Sequence, residues 1–272
     1  MSQDYFTTQR LISTFDPEFK PEILNHHLLI VGLGGNGSHI ALAAARMGFK
    51  KITGIDKDLV SESNLSRQVL YTTEDLGKYK ANAARKNLYC HNLISEIETH
   101  NFDILSERER FGNLVKKSDF IFIVLDQPAA TFFAVDTCYH LQKPAVLGGT
   151  CTMSGLATRF CWMSPQQSPC LNCSFASSPY LERWFEFYKF HNGQRKIKTE
   201  EVSAIDKKIS LEGGHPSIYP TACIGSNLML SIALNYFMSH RDMPRMIEFS
   251  ILNFTLQKSE IMKNKNCPTC SK

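Results

Sequence analysis

Three groups of residues have types and spacing that could do chemistry. Gly32-x-Gly34-x-x-Gly37 follows a short apolar run and precedes an alanine-rich stretch. Glycines at this spacing permit a tight turn and let backbone N–H groups approach a phosphate, with the partial positive charge of a helix N-terminus behind them. Asp56 ends the next apolar stretch, where a carboxylate can accept both ribose hydroxyls. By itself this pair of signals points to NAD or FAD. Asn64, Arg67, Gln68 and Lys80 form the second group, and a dinucleotide fold requires none of them. An Arg and a Lys just past the ribose carboxylate suit a polyphosphate chain; the alternative is that each is a solvated surface charge. The third group is Cys170-x-x-Cys173 and Cys267-x-x-Cys270. Two such pairs supply four thiolates for a closed tetrahedral Zn²⁺ site, which is structural because it leaves no open coordination position.

The elements that must position these groups are legible from apolar patterning. Leu28–Val31, the glycine turn, a helix over Ser38–Met47 and a strand over Lys51–Ile55 make one βαβ unit. A helix over Lys78–Leu93, a strand over Ile94–Thr99, a continuous apolar strand over Phe120–Leu125, a helix over Thr131–Leu141 and a strand over Pro144–Leu147 continue the alternation. Strands alternating with helices predict an α/β fold with a doubly wound, mostly parallel sheet. Beyond it, Gly149–Met163 alternates as antiparallel strands would, Pro220–Met238 has helical spacing, and Ile247–Ile261 reads as two closing antiparallel strands. Ser174–His215 is polar and aromatic, with Trp184, Phe185, Phe187, Tyr188 and Phe190 ahead of the basic run Arg195–Lys198, and is expected to form a lid. We expect one domain over residues 1–272: an N-terminal arm (1–27), a nucleotide-binding half (28–150) and a substrate and zinc half (151–272).

Composition narrows the classes. With 272 residues and 43% hydrophobic content, the chain can bury a core without disulfides. Nine cysteines, an odd number, together with a polar N-terminus argue against a secreted disulfide scaffold. No apolar run approaches the ~20 residues of a membrane span, so a cytoplasmic protein without membrane partners is expected. A net charge of +4 is too small an excess to argue for nucleic acid as a partner.

The stretch GLGGNG…IDKD…SNLSRQ…LGKYKA resembles the ThiF/MoeB/HesA family of adenylating enzymes, relatives of ubiquitin-activating enzymes. The resemblance rests on Gly32, Gly34, Gly35 and Gly37, then Asp56, then Asn64, Arg67 and Gln68, then Lys80, then Asp126. It is strong over residues ~28–150, and the cysteine pairs, a site that family members often carry, support it to the C-terminus. It implies a Rossmann-like fold with a four-cysteine zinc knuckle, ATP and Mg²⁺ as cofactors, and adenylation of a C-terminal carboxylate with release of pyrophosphate. It also implies roles: Asp56 holds the ribose, Arg67 and Lys80 neutralise the phosphates, Asn64 fixes the phosphates or the attacking oxygen, and Asp126 holds Mg²⁺. The implied partner is a peptide or a ubiquitin-like sulfur-carrier protein, and the implied assembly is a homodimer.

Two features depart from the family. Many relatives carry an N-terminal Arg that reaches the partner subunit's ATP site; here Thr8 falls at that place, and Arg10 is the nearest substitute. Ubiquitin-activating enzymes use a cysteine in the crossover loop, but no Cys lies between Cys173 and Cys223, and Cys223 sits in an apolar helical pattern, where a free thiol acts as a small hydrophobe. The expected product is therefore an adenylate with no loop-cysteine thioester. That resembles the peptide-modifying branch of microcin C and pantocin type, as do Ser66–Leu70 and Asp126–Pro128, although only ~27 residues precede the first strand, fewer than the microcin type's extra domain needs. Sulfur-carrier activation for thiamine or molybdopterin synthesis, a non-catalytic nucleotide-binding subunit, a dehydrogenase and a tRNA-modifying relative are the alternatives. His215 is a candidate acid or base where the lid returns to the core.

Overall fold

The structure is a computed structural model, and it describes residues 7–91, 94–150, 156–165, 169–175, 217–240, 242–265, 267 and 269–271. Among the described residues, eight strands make one sheet in the order β3-β2-β1-β4-β5-β6-β7-β8. The strands are β1 (His27–Val31), β2 (Lys51–Ile55), β3 (Glu96–His100), β4 (Phe120–Ile123), β5 (Ala145–Thr150), β6 (Ala157–Met163), β7 (Met246–Ser250) and β8 (Thr255–Ser259). Pairing is parallel from β3 across to β5 and antiparallel from β5 to β8. The fold is therefore α/β and Rossmann-like, with antiparallel strands closing the C-terminal side, as the alternation of elements predicts.

Six helices accompany the sheet among the described residues: α1 (Thr7–Phe15), α2 (Gly35–Met47), α3 (Lys80–Tyr89), α4 (Arg108–Lys117), α5 (Pro128–His140) and α6 (Tyr219–Phe237). The strands' continuous apolar runs are explained by a core on both faces. Leu28 and Ile30 of β1 and Phe120 and Phe122 of β4 face one cluster, with Ile40, Ala41 and Ala44 of α2 and Met229 and Ala233 of α6. Their neighbours Leu29, Val31, Ile121 and Ile123 face the other, with Phe111 and Val115 of α4 and Ala130, Ala134 and Val135 of α5. Successive side chains of a strand point to opposite faces, so a strand covered on both sides reads as unbroken apolar sequence. A fully buried phenylalanine such as Phe122 contributes enough that truncation to alanine costs about 3–5 kcal/mol.

Small residues set the close approaches. α6 crosses β5 and β6 where Gly148 faces Met229 and Phe160, and where Gly225 faces Thr158; a Cβ at either glycine would collide. α2 ends at Gly48, whose φ of 86° is left-handed and whose N–H caps Ala44 and Ala45.

Several boundaries differ from expectation: α5, expected from Thr131, begins at Pro128, β4, expected to reach Leu125, ends at Ile123, and β3, expected from Ile94, begins at Glu96. The helix expected from Ser38 begins at Gly35, so Gly35 and Gly37 lie inside its first turn. The helix expected over Lys78–Leu93 is confined to Lys80–Tyr89. Helix α4 has no counterpart in the apolar patterning: it is short, and its charges obscure an inner face of only Phe111, Leu114 and Val115. The expected lid, with Trp184–Phe190, Arg195–Lys198 and His215, lies outside the described residues apart from its first two positions.

Candidate nucleotide site and cysteine cluster

The parallel strands deliver the candidate residues to one end of the sheet. Val31 of β1 is in register with Ile55 of β2 and with Ile123 of β4. The residues that follow, Gly32, Asp56 and the turn leading to Asp126, thus share the carboxyl edge of three adjacent strands. β1 and β4 form the point where the strand order reverses, and open α/β sheets open a crevice there. Gly32 has φ +96°, a left-handed value, and a Cβ on it would press on the Val124 carbonyl. A Cβ on Gly37 would run into the Gly32 carbonyl oxygen, so that glycine is required for α2 to start so close to the strand. The first turn of α2 leaves backbone N–H groups without intrahelical partners, facing this crevice edge.

Asp56 is buried and accepts two backbone hydrogen bonds, from Leu33 N–H at 2.7 Å and from Asp58 N–H at 2.9 Å. Burial pushes its carboxyl pKa up, against the opposing pull of Lys80 and of these two N–H groups. Each carboxylate oxygen keeps a further lone pair for a ribose hydroxyl. Asp56 thus shapes the glycine loop as well as offering itself to a ligand, a second duty that the sequence pattern does not announce.

The segment from Asp58 to Lys80 closes on itself beside the loop. Lys80 N–H donates to Asp58 O at 2.8 Å, and the buried Lys80 ammonium pairs with Asp58 Oδ2 at 3.2 Å. Asp75 is the buried anchor: it accepts from Asn87 Nδ2 at 2.8 Å and from Thr72 N–H and Oγ1 at 3.1 Å each. Arg67 Nη1 donates to Ser63 O at 2.9 Å, and its stem lies beside Gly35. Asn64 is buried and spends Oδ1 on Ser61 N–H at 3.1 Å. Gln68 is buried beside Gly34, and its Oε1 has no hydrogen-bond partner among the described residues. His39 Nε2 meets Arg67 O at 3.1 Å, and burial lowers its pKa, which keeps the ring neutral and able to donate there.

Asp126 stands exposed in the turn between β4 and α5. Beside it, Gln127 Oε1 accepts from Lys57 Nζ at 3.4 Å, and Lys57 also pairs with Asp103 at 2.7 Å. Lys57, Asp103 and Gln127 therefore tie the ends of β2, β3 and β4 together around the crevice, a link that no local sequence pattern announces. Asn36 fastens the α2 start to α6, donating to Ala222 O and Ser226 Oγ at 3.3 Å, while the Ser226 hydroxyl donates back to Asn36 O at 2.9 Å.

The four cysteines of the two C-x-x-C pairs converge. Their sulfurs lie within 4.8 Å of one another, with Cys170–Cys267 at 3.6 Å and Cys173–Cys270 at 3.4 Å, and all four residues are buried. Sulfurs held at ~2.3 Å from a tetrahedral Zn²⁺ stand about 3.8 Å apart, so the cluster fits that ion. Hydrogen bonds from Cys170, then Cys173, lower the Cys267 pKa, whereas the Cys170 pKa is raised by its bonds to Cys173 and Cys267. Four thiolates at this spacing require a cation between them. Asn172, buried between the first two cysteines, donates to Thr269 Oγ1 at 2.9 Å, and Thr269 donates to Asp136 of α5 at 2.9 Å. Buried Arg245 donates to Trp162 O at 2.9 Å and Pro169 O at 2.8 Å, fixing the approach to Cys170. These supporting residues are not recognisable in the sequence, because nothing local to them signals contact across the fold.

A family pattern aligned to the chain runs from residue 6 to residue 269 and describes the ThiF family. The chain belongs to the ThiF family. Among ThiF-related proteins, the sulfur carrier protein adenylyltransferase of Thermus thermophilus is 28% identical over 178 residues, covering 65% of each protein. The adenylyltransferase and sulfurtransferase MOCS3 of Drosophila ananassae is 30% identical over 174 residues, covering 64% of this chain and 38% of the relative. The match thus spans less than two thirds of either relative. Among solved structures, Escherichia coli MccB with ATP superposes with a TM-score of 0.72 at 16% identity, covering 99% of this chain and 76% of the other. PaaA superposes with a TM-score of 0.69 at 20% identity, covering 95% and 82%. At these identities the superpositions speak to the fold alone.

The remaining sequence candidates lie on α1 and α6. Thr8 and Arg10 lie on α1, and nothing of their side chains is described. Cys223 is on α6, half-buried, with Asn227 Nδ2 3.6 Å from its sulfur. Among the described residues, no helix is long and apolar enough to cross a membrane.

Proposed function

We propose that this chain uses ATP to adenylate the C-terminal carboxylate of a peptide or of a ubiquitin-like sulfur-carrier protein. The observation that carries the reading is the shared carboxyl edge of β2, β1 and β4, which gathers Asp56, the glycine loop and the Asp126 turn around one crevice. Membership of the ThiF family and adenylyltransferase relatives support it. A substrate carboxylate oxygen attacks the α-phosphorus of ATP; the bond from that phosphorus to the bridging oxygen breaks, and pyrophosphate leaves with the electron pair. Such a step asks the protein for alignment and charge neutralisation more than for covalent chemistry.

In this reading Asp56 holds the ribose, and the N–H groups at Gly34, Gly35 and Gly37 with Asn64, Arg67, Gln68 and Lys80 line the phosphate path. Arg67 and Lys80 are released from Ser63 O and Asp58 to do so. Asp126 offers an exposed oxygen ligand of the kind Mg²⁺ prefers, and the bound ion would neutralise phosphate charge. The four cysteines hold structural Zn²⁺ and take no part in the chemistry. Cys223 forms no thioester, so the adenylate passes to an external or intramolecular nucleophile. A homodimer in the cytoplasm completes the proposal.

The test is direct. With ATP, Mg²⁺ and a peptide ending in a free carboxylate, hydroxylamine traps an adenylate as a hydroxamate while pyrophosphate is released in equal amount. Hydrolysis of ATP to ADP and phosphate in its place refutes the reading.

A further inference from the structure

Leu33 lies between Gly32 and Gly34 of the loop, and side chains from elsewhere hold both of its main-chain polar groups. Its N–H donates to Asp56 Oδ2 at 2.7 Å, and its carbonyl accepts from the Tyr71 hydroxyl at 2.8 Å. Leu33 and Tyr71 are 1% and 6% exposed, so water does not compete for either bond. A trans peptide is planar and points its C=O and N–H in opposite directions. Drawing the Leu33 carbonyl inward therefore turns the N–H of Gly34, in the same plane, outward to the crevice at the head of α2. The Asp56 bond works the same way on the preceding peptide: with Leu33 N–H drawn in, the Gly32 carbonyl points toward α2, at the place where Gly37 has no side chain to obstruct it. Burial, with the nearby Asp56, Asp58 and Asp75, raises the Tyr71 pKa, which keeps its hydroxyl protonated as a donor.

We infer that Tyr71 is a positioning residue that aims the Gly34 N–H at a nucleotide phosphate. This rests on the nucleotide reading above. A phenylalanine would fill the same space in the core cluster that Tyr71 joins; only the hydroxyl reaches Leu33. The effect of that hydroxyl is confined to ligands that carry phosphate.

Calorimetric titration of wild type and Tyr71→Phe with ATP and with adenosine separates this role from a structural one. The inference expects ATP affinity to fall about tenfold and adenosine affinity to hold within about twofold, with KM for ATP in pyrophosphate exchange rising about tenfold while kcat changes little. Equal losses for adenosine and ATP, or no loss for ATP, overturn it. Wild type that binds no ATP overturns the nucleotide reading itself, whereas ATP binding unaltered by Tyr71→Phe overturns the Tyr71 role alone. Should the variant not fold, wild type labelled with ¹⁵N-glycine decides: the Gly34 amide proton resonance moves downfield with ATP and not with adenosine, and a stationary Gly34 resonance overturns the inference.

Discussion

Asp126 stands exposed and Asp56 stands buried, both just past the carboxyl ends of parallel strands. The difference suits a carboxylate that shares a hydrated ion and one that orients an uncharged sugar. Asp126→Ala should leave ATP binding within a few-fold but slow pyrophosphate exchange at least ~100-fold, the scale of losing a charge-stabilising group; exchange at the wild-type rate would remove Asp126 from the machinery. Cys223 belongs to a different class of residue. It rides half-buried on α6 beside Asn227, and Cys223→Ala should adenylate at the wild-type rate. A thioester on wild type that the normally folded variant lacks, seen on a non-reducing denaturing gel, would reinstate a covalent step. At this scale the glycines, Asp56 and the cysteine pairs are legible because their chemistry is tied to fixed spacings. Tyr71, Lys57 and Arg245 are not, because each acts on a residue distant in sequence, and a tyrosine that holds a loop carbonyl reads in sequence like one that only fills space.

Among the elements, the segment between β2 and α3 decides how Lys80 is presented. It contains short 3₁₀ turns and no strand of its own, so it relies on Asp75, whose carboxylate gathers Asn87, Thr72 and, at 3.6 Å, Lys78. Burial alone would raise the Asp75 pKa, but hydrogen bonds from Asn87 and Thr72 with the Lys78 charge outweigh it and hold the carboxyl below its ordinary value. A depressed folded pKa stabilises the protein above the unfolded pKa, near ~3.9, and that contribution is lost as pH falls through the folded value. Asp75→Ala should thus cost about 1–3 kcal/mol at pH 7, a fall in Tm of several degrees, and the gap to wild type should narrow in acid below about pH 4. A gap that is constant from pH 7 to pH 3 would mean that the charge of Asp75 is not what anchors the segment. Strands β1 and β4 are readable as elements since burial on both faces leaves a continuous apolar run. Helix α4 is not, for a short helix with one narrow inner face looks like charged loop. The sequence pattern sets the start of α2 late because glycine signals a turn, and here it also serves the first helical turn.

Across the whole molecule, the cysteine cluster joins residues 170–173 to 267–270 and fastens both to α5 through Asn172, Thr269 and Asp136. An ion bound there would contribute its binding free energy to the folding of the C-terminal strands. Protein prepared without chelator should carry about one zinc per chain, and Cys267→Ser should lose that zinc and melt several degrees lower while binding ATP as before; full zinc content in the variant would refute the ligand set. The glycine loop and the cysteine pairs are visible in the sequence since both are written in local motifs. What the protein acts on is not written so: substrate recognition depends on surfaces assembled from the whole chain. The most direct measurement of the central claim is ATP–pyrophosphate exchange with Mg²⁺ across a panel of peptides and sulfur-carrier proteins, each supplied with a free C-terminal carboxylate and as the C-terminal amide. The account predicts exchange that depends on one class of free carboxylate and vanishes with its amide. ATP binding without exchange for any member of the panel, or exchange indifferent to amidation, would contradict it.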